Sequence, residues 1–153
     1  MADKADAAAE DALLLADASD AADGDPCNVT IKVRDSIAFS TTELSVPSTC
    51  SEVSVTLEHI GQMPKTAMGH NWVLLPADDL QEIAMAAMTA TAESSYIPEG
   101  EDRIVAYTKI IGGGESDTVT FSLSDLEEGT EYAYVCTFPG HWSVMRGKFT
   151  VTG

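Results

Sequence analysis

Basic residues are scarce in this chain. Its 153 residues include 8 Lys and Arg against 25 Asp and Glu, a net charge of -17 with neutral histidines. Such a chain repels phosphate backbones and anionic headgroups, which excludes nucleic-acid binding and attachment to lipid through a basic patch. Cysteine is scarce as well. Three are too few for a disulfide scaffold, and an odd count leaves one thiol to account for. Three histidines leave no room for several metal centres. No run of 18 apolar residues occurs, so no segment reads as a membrane-spanning helix. Hydrophobic residues still make up 44 %, enough for a core and against wholesale disorder. The length suits one domain with a little left over.

Composition changes near residue 25. Residues 1–25 hold ten Ala and eight acids, with Lys4 the only base, while residues 26–153 carry a net -10. We read 1–25 as an acidic, Ala-rich flexible tail or linker and 26–153 as the folded domain. An interaction helix nucleated at Leu13-Leu14-Leu15 is the alternative, but that cluster offers little apolar surface to fold alone. The basic start and long apolar stretch of a signal peptide are absent from this segment.

From Pro26 onward the apolar pattern has period two. Val29, Ile31 and Val33 alternate with polar residues, as do Val53, Val55 and Leu57, then Val119, Phe121 and Leu123, then Tyr132, Tyr134 and Cys136, with Phe149 and Val151 at the end. Short runs rich in β-branched and aromatic residues predict strands with one buried face. Pro47-Ser48, Gly61, Gly112-Gly113-Gly114 and Glu128-Gly129 punctuate them. One stretch departs from the pattern. Leu80, Ile83, Ala84, Ala87 and Met88 fall at helical spacing, after Pro76 and with Asp78 and Asp79 in the expected first turn. Seven or eight short strands with one inserted helix predict an all-β sandwich.

The chemistry concentrates in Cys136-Thr137-Phe138-Pro139-Gly140-His141-Trp142-Ser143-Val144-Met145. This C-x4-H-x3-M segment places a thiol, an imidazole and a thioether in one loop, where Pro139 and Gly140 can turn the chain and let them converge. Soft thiolate, imidazole and weak thioether suit copper that changes oxidation state. His70, 66 positions before Cys136, is the candidate second imidazole. Singly, each of these residues reads as core or loop; the joint spacing favours a metal centre.

The string CTFPGHWSVMRG at Cys136 to Gly147, with MGHNWVL at Met68 to Leu74 and the stretch IGGGESDTVTF, closely resembles the azurins, type 1 (blue) copper proteins of the cupredoxin fold. The resemblance covers roughly residues 26–153 and implies a Greek-key β-sandwich around one type 1 copper. It implies His70, Cys136 and His141 as strong ligands, Met145 as the long axial thioether and the backbone oxygen of Gly69 opposite it. Asn71 would brace the ligand loop, and Phe138 and Pro139 would keep water from the metal. It further implies a disulfide between Cys27 and Cys50, and hence an oxidising compartment, the periplasm or cell surface. His59 matches a non-ligand histidine of azurins that can couple protonation to redox state; a hydrogen-bonded, partly buried histidine is the equal alternative. Tyr107 stands where many azurins carry a surface histidine.

The function implied is a single-electron carrier, not an enzyme, since the ligand set leaves no open position for substrate. Copper storage or delivery in the periplasm is the alternative. The implied partners are transient redox proteins, a c-type cytochrome or a copper or haem reductase or oxidase. They would dock over an apolar patch that includes Met63, Met68, Met88, Trp142 and Val144, with Ile37, Ala67 and Ser143 nearby. Trp142 stands where a small residue is usual, and could extend that contact or fold back over the imidazole. The chain is expected to act as a monomer without a membrane span, with a tether through the N-terminal arm left open. The acidity reads either as steering toward a basic partner or as solubility in a salty environment, and its spread over tail and domain favours the second.

Overall fold

A computed structural model describes residues 25–152. The expectation of a flexible tail falls, except at Asp25, outside the described residues. Asp25 itself caps the entry to the domain: its carboxylate accepts from the Cys27 N–H at 2.9 Å and from the Asn28 side chain at 2.7 Å.

Eight strands form among the described residues: β1 (Asn28–Val33), β2 (Glu43–Pro47), β3 (Glu52–His59), β4 (Val73–Pro76), β5 (Ala106–Tyr107), β6 (Ser116–Ser122), β7 (Tyr132–Val135) and β8 (Arg146–Thr152). They make a three-stranded sheet in the order β1-β3-β6 and a five-stranded sheet in the order β2-β8-β7-β4-β5. The chain crosses between the sheets to place β1 parallel to β3 and β2 parallel to β8, while the remaining pairs are antiparallel. This is the all-β Greek-key sandwich that the alternation and the resemblance predicted. The inward residues Ile31, Val46, Val53, Val55, Leu57, Trp72, Leu74 and Tyr134 are almost fully buried and form the core between the sheets.

Among the described residues the inserted helix expected from the periodicity forms, and one further α-helical turn precedes it. The extra one, α1 (Lys65–Met68), is a single turn. The expected helix is α2 (Leu80–Ala87), preceded by a 3-10 turn at Ala77–Asp79, so Asp78 and Asp79 sit one turn earlier than the periodicity placed them. Leu80, Ile83, Ala84 and Ala87 face inward as predicted, but Met88 lies past the last turn and is 60 % exposed.

The position of α2 also explains why β7 departs from strict alternation. Its residues Tyr132 and Tyr134 enter the inter-sheet core, while Ala133 and Val135 join Val73, Leu75 and the buried face of α2 in a second core outside the five-stranded sheet. A strand covered on both faces loses its polar half. Arg103 ties this outer layer together, bonding Glu101 and Glu82 at 2.7 Å and reaching Asp79 at 3.5 Å. No helix among the described residues is long and apolar enough to cross a membrane.

Candidate metal centre

Two sequence-distant segments meet at one end of the sandwich. His70 lies just before β4 and is held by reciprocal backbone bonds with Ile111, at 3.1 and 2.9 Å. Cys136 directly follows β7. Its N–H donates to the Met145 carbonyl at 3.0 Å, closing the loop 136–145 at its base. Inside that loop the His141 N–H donates to the Phe138 carbonyl, and the Met145 N–H donates to the His141 carbonyl. Gly140 turns the chain with φ +86°, in the region where a side chain is strained. The loop therefore brings the Cys136 and His141 donors together and keeps Met145 buried at its base.

His70, Cys136 and Met145 are fully buried and His141 is 4 % exposed. The Cys136 Sγ lies 3.6 Å from His141 Nδ1 and 3.9 Å from His70 Nδ1, and the three ligand atoms fall within 4.8 Å of one another. Trigonal bonds of about 2.3 Å to sulfur and about 2.1 Å to nitrogen separate such atoms by about 3.8 Å. The donor set thus fits a single ion. His70 donates from Nε2 to the Arg34 carbonyl at 2.7 Å, which leaves the Nδ1 lone pair facing the thiol. The His141 ring lies between Phe138, at 4.6 Å, and His70, at 5.2 Å.

Asn71 joins the two segments. Its carbonyl oxygen accepts from the Thr137 N–H, and its amide donates to the Thr137 hydroxyl and the Ser95 carbonyl, all at 2.9 Å. Ser95 and Tyr96 both hold φ +57°, an uncommon conformation that aims the Ser95 carbonyl at Asn71 while its hydroxyl accepts from the Ile110 N–H. Tyr96 packs edge-on against Phe138, which is half-buried. Pro139 is exposed. Trp142 is half-buried and folds against the second core under α2. Ile37, Met63, Met88 and Val144 are exposed and Met68 is half-buried. Gly69 is buried, and a Cβ there would press on Ile110 and Phe138. His59 is 1 % exposed with both ring nitrogens engaged: Nδ1 accepts from the Gly61 N–H and Nε2 donates to the Met68 carbonyl. Sequence reasoning missed Ser95, Thr137 and the Arg34 carbonyl. A backbone acceptor leaves no mark in the sequence, and Ser or Thr is too common to stand out.

Burial governs the protonation of the metal-free site. It pushes the Cys136 thiol up to about 12 and His70 down to about 4, and lowers His141. At neutral pH the imidazoles are therefore already deprotonated donors, whereas the thiol still holds its proton. Each metal ion bound must expel that proton, so affinity increases with pH. We expect apparent copper affinity to rise about tenfold per pH unit between pH 6 and 8, with one proton released per ion. Competition titrations in two buffers of different ionisation enthalpy check this; a pH-independent affinity would remove the thiol from the ligand set.

A closed set of buried imidazole, thiol and thioether donors at the end of a Greek-key sandwich defines a type 1 copper protein of the cupredoxin class. Residues 26–152 match the model of the copper-binding proteins of the plastocyanin/azurin family, and the chain belongs to that family. It is 46 % identical over 121 residues to the azurin of Alcaligenes faecalis, covering 79 % of this chain and 94 % of the relative. Identity to the azurin of Pseudomonas fluorescens biotype A is also 46 %, over 125 residues, 82 % of this chain and 98 % of that one. A solved azurin iso-2 structure from the obligate methylotroph Methylomonas sp. strain J superimposes with a TM-score of 0.80 at 42 % identity, covering 83 % of this chain and 98 % of that one. The cofactor is accordingly one type 1 copper, and the chain is an azurin-type electron carrier.

Proposed function

We propose that this protein carries single electrons between transient redox protein partners, such as a c-type cytochrome or a copper or haem reductase or oxidase, in the periplasm or at the cell surface. The observation that carries the reading is the burial of all four donor side chains, with His141 the least covered and exposed apolar side chains in and around its loop. Bound copper supplies the one-electron couple. The chain's residues do the rest: His70, Cys136, His141 and Met145 would hold the ion, with the Gly69 backbone oxygen as a further donor in this reading, and Asn71 locks the two ligand segments to each other. Phe138 lies against His141 and excludes water, while Pro139 shapes the turn from the outside. A site braced in this way rearranges little when its charge changes, which suits fast exchange. The same closure opposes storage or delivery, which requires an open and exchangeable site.

Met63, Met68, Met88 and Val144 form the apolar docking patch in this reading, with Trp142 supporting the loop from beneath. Small, weak interfaces of this kind suit transient partners. The domain acts as a monomer, and the Cys27–Cys50 disulfide supports an oxidising compartment. Val144 is 66 % exposed, so a charge there leaves the fold intact. We expect Val144→Asp to keep the blue band and slow second-order reduction by a c-type cytochrome about tenfold. Stopped-flow rates decide: an unchanged rate would place docking elsewhere, and no electron transfer in the parent protein would sink the carrier reading.

A further inference from the structure

The segment that follows β1 reaches the metal centre from behind. Arg34 offers its carbonyl to the Nε2–H of His70. The next residue, Asp35, extends its carboxylate in another direction, over the turn at residues 61–63. Its Oδ2 accepts from the Gln62 N–H at 2.9 Å and its Oδ1 from the Met63 N–H at 3.0 Å. The fit is close: a Cβ on Gly61 would overlap the Asp35 carboxylate, so the turn accommodates Asp35 only because glycine stands there. The Gly61 N–H donates to His59 Nδ1, and His59 Nε2 donates to the Met68 carbonyl two residues before His70. The His59 ring also stacks on His70, with centroids 5.0 Å apart.

These contacts close a circuit that runs from His70 through Arg34, Asp35, the 61–63 turn, His59 and Met68 back to His70. On the β1 side, Val33 is already tied to the turn, because its carbonyl accepts from the Ile60 N–H at 2.8 Å. Beyond Arg34 the tie is made by Asp35. Bonds from backbone N–H groups to a carboxylate are charge-assisted and short, and here they hold the Asp35 carboxyl below its ordinary range.

We propose that Asp35 is a positioning residue for His70, the side chain that keeps the Arg34 carbonyl on the Nε2–H and so fixes the tautomer and orientation of the ligand imidazole. This rests on His70 being a copper ligand. Asp35 touches neither the ion nor any partner; it acts through the Arg34 carbonyl. Its negative charge also favours the more highly charged copper state.

The test uses the full chain with Asp35→Asn, which keeps the shape but loses the charge and one acceptor, and Asp35→Ala, which loses both acceptors. At fixed ambient potential the reduced-to-oxidised ratio of the Asn variant should rise about threefold, a screened single-charge effect. In the Ala variant the EPR copper hyperfine splitting should change. In the zinc-loaded Ala variant, NMR should show the His70 Nε2–H exchanging about tenfold faster than in the parent. Parent-like potential, hyperfine splitting and exchange in both variants would overturn the proposal, as would a shifted potential with unchanged exchange. Should the Ala variant fail to fold, the Asn variant decides alone, by its potential and by a His70 Nε2–H exchange expected to be faster than in the zinc-loaded parent. A parent protein without a blue band would instead defeat the copper assignment, a distinguishable failure.

Discussion

Replacing Cys136 by Ser abolishes the intense visible absorption of the copper-loaded protein and weakens copper binding by orders of magnitude. The colour of a type 1 centre comes from charge transfer between thiolate sulfur and Cu(II), and Cys136 is the free cysteine of the described domain. A hydroxyl can neither ionise at neutral pH nor donate soft sulfur density, so the two imidazoles are left without their strongest partner. The fold survives. Ser is smaller than Cys by little, and its hydroxyl falls beside the His70 and His141 Nδ1 atoms, which lie 3.9 and 3.6 Å from the sulfur and can accept its proton. The metal-free variant should therefore melt within a few degrees of the metal-free parent, as followed by circular dichroism. A blue band retained in Cys136→Ser would remove the thiolate from the site. A collapse in melting temperature would mean that the thiol holds the core rather than the metal.

Removing the disulfide should have the opposite pattern, a large loss of stability with little change at the metal. Cys27 and Cys50 are bridged across 23 positions of chain. In the chain-entropy treatment, opening such a loop costs about 3 kcal/mol. For a domain of this size that is a fall in melting temperature of about 10 °C in Cys27→Ala/Cys50→Ala. The bridge joins the start of β1 to the loop before β3, whereas Arg34 and His59, at the far ends of those strands, reach the metal centre. The parallel register of Asn28 with Ser54 through Val33 with His59 separates the two ends by about 20 Å of strand. The visible and EPR spectra should thus match those of the parent at temperatures where both are folded. Altered spectra would show that β1 and β3 transmit strain to His70, and an unchanged melting temperature would mean that the reduced chain already holds its ends together.

The legible parts of this protein are those whose signal is local. Alternation along Val53, Val55 and Leu57 announced a strand because side chains on a pleated chain face opposite sides in turn, and all three are buried. The C-x4-H-x3-M loop announced a metal centre because a thiol, an imidazole and a thioether lay within ten residues. The helical spacing of Leu80, Ile83, Ala84 and Ala87 likewise survived into α2. Met88 shows the limit. Its spacing belongs to the apolar face, yet the helix ends at Ala87 and the side chain turns outward, because termination depends on the chain that follows rather than on periodicity.

By itself the sequence determined an acidic all-β domain with a copper-type ligand loop, since residue type and short spacing encode both. Tertiary structure alone decided which strands pair, because β1 meets β3 in parallel only after the chain has passed through the other sheet. It decided that α2 covers the outer face of β7, turning an expected half-exposed strand into a buried one and drawing Trp142 inward. It also decided what holds His70 in place: a carbonyl at Arg34, a carboxylate at Asp35 and a glycine that makes room for it. Those contacts join residues up to 36 positions apart, partly through backbone groups that every residue possesses. No local pattern can reveal them, because hydrogen bonds of that kind are specified by distance in space and not by residue type.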